Sequence, residues 1–219
     1  MKPHSDDTVF FETAAEWERW LEKHHQTAPG VWVRFAKAKS GKQCMAYSDA
    51  LELAICFGWI DALRRGDGPD FYLQRFTPRK PRSLWSLINR DRALALVKAG
   101  KMRPAGLLEI ERAKENGRWE NAYGGRQTIK IPPDFAAALK AKPKAQAKFE
   151  TLDGRNRFAF LFRLQNTLKP ETRMKRLETF IEMLNRGETI YPQAAKKAVP
   201  RKKTAVGKSR KTKRKVSDS

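Results

Sequence analysis

The stretch "WIDALRRGDGPDFYLQRF" (residues 59–76) decides the fold class, because it joins two strand-like segments through a turn. A Gly/Pro/Asp cluster, "GDGPD", separates "WIDALRR" from "FYLQRF", and this arrangement predicts a β-hairpin. In the second segment, alternation places Phe71, Leu73 and Arg75 on one face and the intervening residues on the other. We expect one of these faces to pack against a buried helix.

Helical and extended patterns lie on both sides of this hairpin. In "TAAEWERWLEKHH", Thr13 stands three residues before Glu16, which is the spacing of a capping box. "GVWVRFAKA" alternates as a strand, and "YSDALELAICFG" predicts a buried helix with Ser48 as its N-cap. After the hairpin, the prolines of "TPRKPR" predict an extended connector, and residues 83–100 predict a helix.

The remainder of the body, from "IPPDFAAALKA" onward, is predicted to be wholly helical. Its last helix begins at Pro170. Helical spacing gives that helix an apolar stripe of Met174, Leu177, Ile181 and Leu184, helped by Phe180. The predicted fold class is therefore α+β, with a small N-terminal α+β part containing the hairpin and a helical C-terminal half.

Three segments follow from this pattern. The N-terminal α+β part occupies residues 1–118, and the helical part occupies residues 119–192. Residues 193–219 have no aromatic residue and no periodicity, so they are predicted to form a disordered tail.

The formal net charge is +22, and it is unevenly distributed. The tail contains one acid, Asp218, and carries +10 of the total, so the body is basic on its own. Such a segment predicts binding to nucleic acid or other polyanions. Its eleven basic residues are Lys196, Lys197, Arg201, Lys202, Lys203, Lys208, Arg210, Lys211, Lys213, Arg214 and Lys215.

Several classes of protein are not favoured by the sequence. Cys44 and Cys56 form no CxxC pattern, and the three histidines lie near the N-terminus, so we expect no metal site. No nucleotide-binding loop or hydrolase motif is present, and we expect no cofactor. The longest apolar run, "FAFLF", is far shorter than a membrane span, and the first residues lack a signal-peptide core. We expect a soluble, cytoplasmic protein.

Taken together, "APGVWVRFAK", "CFGWID", "LQRFTPRKPRSLWS", "FETLDGRNRFAFLFRL" and "KPETRMKRLETFIEMLNRGETIYP" resemble the YdeI/OmpD-associated family of bacterial proteins. The resemblance covers about residues 17–192. It implies an α+β body whose helical C-terminal half is the most recognisable unit. The family's name links the family to bacteriocin or antimicrobial-peptide protection and to an outer-membrane porin. The resemblance implies no catalytic residues for this chain.

Asp61 is the first candidate site residue, because it follows an apolar run and precedes a basic hairpin. It is either a functional buried acid or the ion-pair partner of an arginine across the hairpin, and the second interpretation is favoured. The connector is rich in cations, which together suggest one anion-binding cleft. Its candidate residues are Arg75, Arg79, Arg82, Arg90 and Arg92.

Three functional interpretations remain open. The first is a non-enzymatic bacterial protein of this family, linked to antimicrobial-peptide or stress tolerance, with a polyanion-binding tail. The second is a nucleic-acid-associated protein that uses both the tail and a basic face of the body. The third is an enzyme or binder of small anions that uses Asp61 and an arginine-lined cleft.

Overall fold

The computed structural model describes residues 7–193. Over these residues it confirms the α+β class: a four-stranded sheet in the N-terminal part is followed by a helical C-terminal part. All eleven basic tail residues, and the tail beyond Gln193, lie outside the described residues. No helix within residues 7–193 is long and apolar enough to cross a membrane.

The sheet has the strand order β1-β2-β4-β3. Its strands are β1 (Thr8–Phe10), β2 (Val31–Ala36), β3 (Trp59–Asp67) and β4 (Phe71–Pro78). The first pair is parallel, and the other two pairs are antiparallel. The predicted hairpin is therefore confirmed as β3 and β4. Its turn contains Gly68 with a φ of +70°, a conformation that glycine adopts without a Cβ penalty.

The described residues of the N-terminal part, from residue 7 onward, form four helices. They are α1 (Ala14–His24), α2 (Tyr47–Cys56), α3 (Leu87–Lys98) and α4 (Pro104–Glu115). The predicted capping box is present, since Thr13 and Glu16 bond reciprocally at the start of α1. One face of the sheet packs against α1 and α2, where the fully buried Trp17, Phe35 and Phe76 meet.

Two helix starts differ from the prediction. The N-cap of α2 is Ala46, so Ser48 lies inside the first turn and its hydroxyl donates to Asp49. Helix α3 begins at Leu87, after the N-cap Ser86, rather than at residue 83. The preceding residues stay extended because the Tyr123 N–H donates to Trp85 O and the Tyr123 carbonyl accepts from Leu87 N, both at 2.9 Å.

Up to residue 193, where the description ends, four further helices form the C-terminal part. They are α5 (Pro133–Lys140), α6 (Pro143–Thr151), α7 (Gly154–Gln165) and α8 (Pro170–Asn185). Phe180, Ile181 and Leu184 of α8 are buried in a second hydrophobic cluster. Leu177 is only half-buried and Met174 is 61% exposed, so the predicted stripe is fully buried only in the second half of the helix.

The two hydrophobic clusters lie at residues 11–122 and 135–184. Between them, the Tyr123 ring packs edge-on against Phe162 with centroids 4.8 Å apart. The Gln165 side chain donates to the Ala122 carbonyl at 3.4 Å. The segment boundary near residue 118 stays a prediction.

Candidate nucleic-acid interface

The cleft residues predicted from sequence lie on two faces of the sheet. Asp61 is paired in register with Phe76, whose ring is in the core, so Asp61 points toward the helices. Arg75 is paired with Trp32 and lies over that ring on the opposite face, with 5.7 Å between guanidinium carbon and centroid. These two residues therefore do not share a cleft.

Asp61 is bound by a tyrosine. Tyr47 Oη donates to its carboxylate at 2.7 Å. Burial raises the pKa of Tyr47, and the hydrogen bond to Asp61 raises it further. Burial also raises the pKa of Tyr123, and the nearby Asp61 charge adds to that effect. Among residues 7–193, no arginine lies within ion-pair distance of Asp61, because the hairpin arginines lie over aromatic rings.

Arg79 is a buried guanidinium and not an exposed anion-binding group. It is 6% exposed, its guanidinium carbon lies 3.5 Å from the Trp85 ring centroid, and Nη1 donates to Leu84 O at 3.1 Å. Within the described residues, Nε and Nη2 have no hydrogen-bond partner. Burial lowers the pKa of Arg79 to about 10, against the opposing charge of Glu109. The adjoining cavity of about 10 Å³ is close to the size of one water molecule.

The other three cations occupy separate positions. Arg82 is exposed on the connector. Arg90 donates weakly to the Trp119 carbonyl at 3.5 Å and lies 3.7 Å from Asp91. Arg92 is half-buried near Tyr47, and its charge opposes the rise in the pKa of that tyrosine. On the helix side of the sheet, Asp61 and Tyr47 therefore form a polar cluster near Arg92, and an anion site shared by the remaining cations stays a prediction.

The sheet face opposite the helices carries a different constellation, which we call the arginine face. The strand registers place Trp32 beside Arg75, Phe10 beside Arg34, and Arg65 beside a buried leucine. The arginine face consists of Phe10, Trp32, Arg34, Arg65, Phe71 and Arg75.

Each arginine of this face is backed by an aromatic ring. The guanidinium carbons of Arg65 and Arg75 lie 4.3 Å and 5.7 Å from the centroid of the Trp32 ring, and this tryptophan is only 6% exposed. The guanidinium carbon of Arg34 lies 4.7 Å from the centroid of the Phe71 ring, and Arg34 Nε forms an ion pair with Asp67 Oδ2 at 2.5 Å. A ring behind a guanidinium holds its plane in place while leaving its outer surface and its N–H edge available.

The charge of the arginine face is positive. Arg34 is neutralised by Asp67, whereas neither Arg65 nor Arg75 has a carboxylate within 4.0 Å among the residues described. Sequence reasoning found Arg75 and missed Arg34, Arg65 and Trp32 as site residues. The available signal was the alternation in "GVWVRFAKA", which places Trp32 and Arg34 on the same face of a strand.

Comparison with known families divides the chain into two matched regions. Residues 9–109 match a "Domain of unknown function (DUF8412)", and residues 128–187 match "Bacteriocin-protection, YdeI or OmpD-Associated". The predicted resemblance to this family is thus confirmed over residues 128–187, a shorter range than the expected residues 17–192. The chain has no match among curated proteins or among solved structures.

Proposed function

We propose that this chain, whose residues 128–187 carry the YdeI- or OmpD-associated family match, is a non-enzymatic protein that binds single-stranded nucleic acid in the cytoplasm. The arginine face is the proposed contact surface on the body. The basic residues of segment 194–219 add affinity for the phosphate backbone.

The observation that carries this proposal is the stacking of Arg65 and Arg75 on Trp32. Guanidinium planes and aromatic rings are the surfaces on which unpaired bases stack, while arginine N–H groups bind phosphate. Because Trp32 holds both arginines, they lose less conformational freedom on binding than free surface arginines do. The exposed ring of Phe10 extends the same face.

Single strands fit this surface better than duplex does. A sheet face offers stacking area but no protruding helix to enter a major groove. In a duplex the faces of the bases are occupied by their neighbours, so only the phosphates remain for the arginines. We therefore expect the body to prefer single strands, and the basic segment to bind both forms alike.

The test is fluorescence anisotropy with a labelled 20-nucleotide oligo(dT), using the parent and a double arginine variant, Arg65→Gln with Arg75→Gln. The matched control is Arg19→Gln, which removes an exposed arginine of α1, on the helix side of the sheet. We expect the double arginine variant to weaken binding at least about tenfold, since each arginine makes charge-assisted contacts. The control should leave affinity unchanged.

The contribution of the basic segment to binding is measured by repeating the titrations on a chain that ends at Gln193. The shortened chain should bind more weakly, and the effect of the double arginine variant should persist in it. If the shortened chain does not bind oligo(dT), or if the two arginines make no difference, the arginine face is not the nucleic-acid surface.

The family match favours a second candidate function, tolerance of bacteriocins or antimicrobial peptides. Such peptides are commonly rich in Lys and Arg, and this chain carries +22, so like charges oppose direct capture of the peptide. Tolerance would then arise because this chain and the cationic peptide compete for the same polyanions. Survival of a deletion strain under a cationic peptide, complemented with the parent or the double arginine variant, tests this. Equal complementation would exclude the arginine face from any protective role.

A further inference from the structure

A pocket lies at the hairpin end of the sheet, on the helix side. It has a volume of about 780 Å³, within the range of small-molecule sites in proteins. Its walls come from the start of β4, from Arg64 of β3 and from loop 37–46 between β2 and α2. We call it the loop pocket.

The hairpin wall of the loop pocket is a layered stack. The Arg64 guanidinium lies 3.7 Å from the Tyr72 ring centroid, and the Tyr72 ring is stacked on Phe35 at 5.5 Å with an interplanar angle of 21°. Tyr47 meets Phe35 edge-on at 6.0 Å. The wall thus presents a flat cationic and aromatic surface, which suits a planar ring.

The opposite wall is held to the hairpin turn by specific bonds. Lys37 N donates to Asp70 O and Lys37 Nζ donates to Gly68 O, both at 2.8 Å. Within the loop, Ala36 N donates to Cys44 Sγ at 3.2 Å. The pocket is therefore shaped by bonds on both sides and does not depend on one flexible chain segment.

The loop pocket is electropositive. Its lining includes the cations Lys37, Lys42 and Arg64 but only one carboxylate, that of Glu12. Neither Lys42 nor Arg64 has an ion-pair partner within residues 7–193. Ammonium groups on the loop and a stacked guanidinium on the hairpin are the donors that bind phosphate beside a planar ring.

From this geometry we propose that the loop pocket binds a nucleoside phosphate, with the base stacked on the Arg64 guanidinium that Tyr72 supports from behind, and with the phosphate held by Lys37 and Lys42. The proposal goes beyond strand binding on the arginine face and rests on different residues. Its failure would leave the strand-binding proposal untouched, and the reverse also holds.

The adjacent arginines of β3 give a matched pair of variants. Arg64→Gln removes the stacked cation of the loop pocket, and Arg65→Gln changes only the arginine face. Isothermal titration of the full chain with AMP should show binding that Arg64→Gln weakens at least about tenfold and that Arg65→Gln leaves unchanged. Both arginines are exposed, and thermal melts of the variants would verify that they fold.

Cys44 reports independently on where the ligand sits. It is a free, partly exposed cysteine in the pocket lining, whereas Cys56 is buried. AMP should slow alkylation of Cys44 by iodoacetamide, and adenosine or inorganic phosphate at the same concentration should slow it much less. The proposal is overturned if AMP does not bind at millimolar concentration, if phosphate alone protects as well as AMP, or if both arginine variants weaken binding equally.

Discussion

Replacing Arg79 by methionine should leave the free energy of unfolding nearly unchanged, although it removes a buried charge. The folded protein keeps this guanidinium charged at a cost, because burial lowers its pKa from the ordinary arginine value to about 10. A lowering of this size corresponds to about 3 kcal/mol. Two of its donor atoms also lack partners among the described residues.

The favourable contacts of Arg79 are of similar size. A desolvated cation–π contact with Trp85 contributes about 2 kcal/mol, and the charged hydrogen bond to Leu84 O contributes about 1.5–3 kcal/mol. Methionine keeps the packing of the side-chain stem on Trp85. We therefore expect Arg79→Met to change stability by no more than about 1 kcal/mol, whereas Arg79→Ala adds a cavity and costs about 2–5 kcal/mol more.

Urea unfolding followed by tryptophan fluorescence measures both variants against the parent at one pH. The ordering parent ≈ Arg79→Met > Arg79→Ala is the expected result. If the methionine variant loses as much stability as the alanine variant, the buried guanidinium charge is stabilised by bound water or an anion, and its desolvation is not offset by Trp85 and Leu84 alone.

Two further predictions concern the N-terminal core. Tyr47→Phe removes the donor to Asp61 and should cost about 1–3 kcal/mol at pH 7 by urea unfolding. The pKa of Tyr47 is raised in the folded state, so the tyrosine of the unfolded chain loses its proton first and the free energy of unfolding of the parent falls as pH rises above about 10. The free energy of unfolding of Tyr47→Phe should fall less steeply over the same pH range. Equal slopes for the two proteins would contradict this. Replacing glycine by alanine usually stabilises a helix interior, but Gly106→Ala should lower the melting temperature of this protein. The reason is that a Cβ at this position would lie 2.3 Å from Cys56 O. A raised melting temperature would refute this close approach.

Local patterns were sufficient to predict much of the fold. The hairpin, the capping box at Thr13 and the helical C-terminal part follow from turn residues, cap spacing and periodicity, which act over a few neighbouring residues. The start of α3 did not follow, because it depends on hydrogen bonds to Tyr123, more than thirty residues away. The exposure of Met174 likewise depends on where the other helices pack along α8.

The candidate site was harder to predict for the same reason. Alternation within β4 correctly separates Arg75 from Phe76, but the partners of Arg75 come from the strand register. Trp32 on β2 and Arg65 on β3 converge only once the order β1-β2-β4-β3 is known. The sequence also favours Arg79 as an exposed anion ligand, since nothing local shows that Trp85 folds back to cover it.

The claim that the arginine face binds single strands is tested most directly through the tryptophan indole N–H signals in two-dimensional NMR. The chain has six tryptophans, and Trp32→Phe assigns the signal of interest. Titration with oligo(dT) should shift the Trp32 signal strongly. The signals of Trp17 and Trp59, whose indoles donate to Ala50 O and His25 O, should stay in place. Binding of oligo(dT) that leaves the Trp32 signal unmoved would contradict the account.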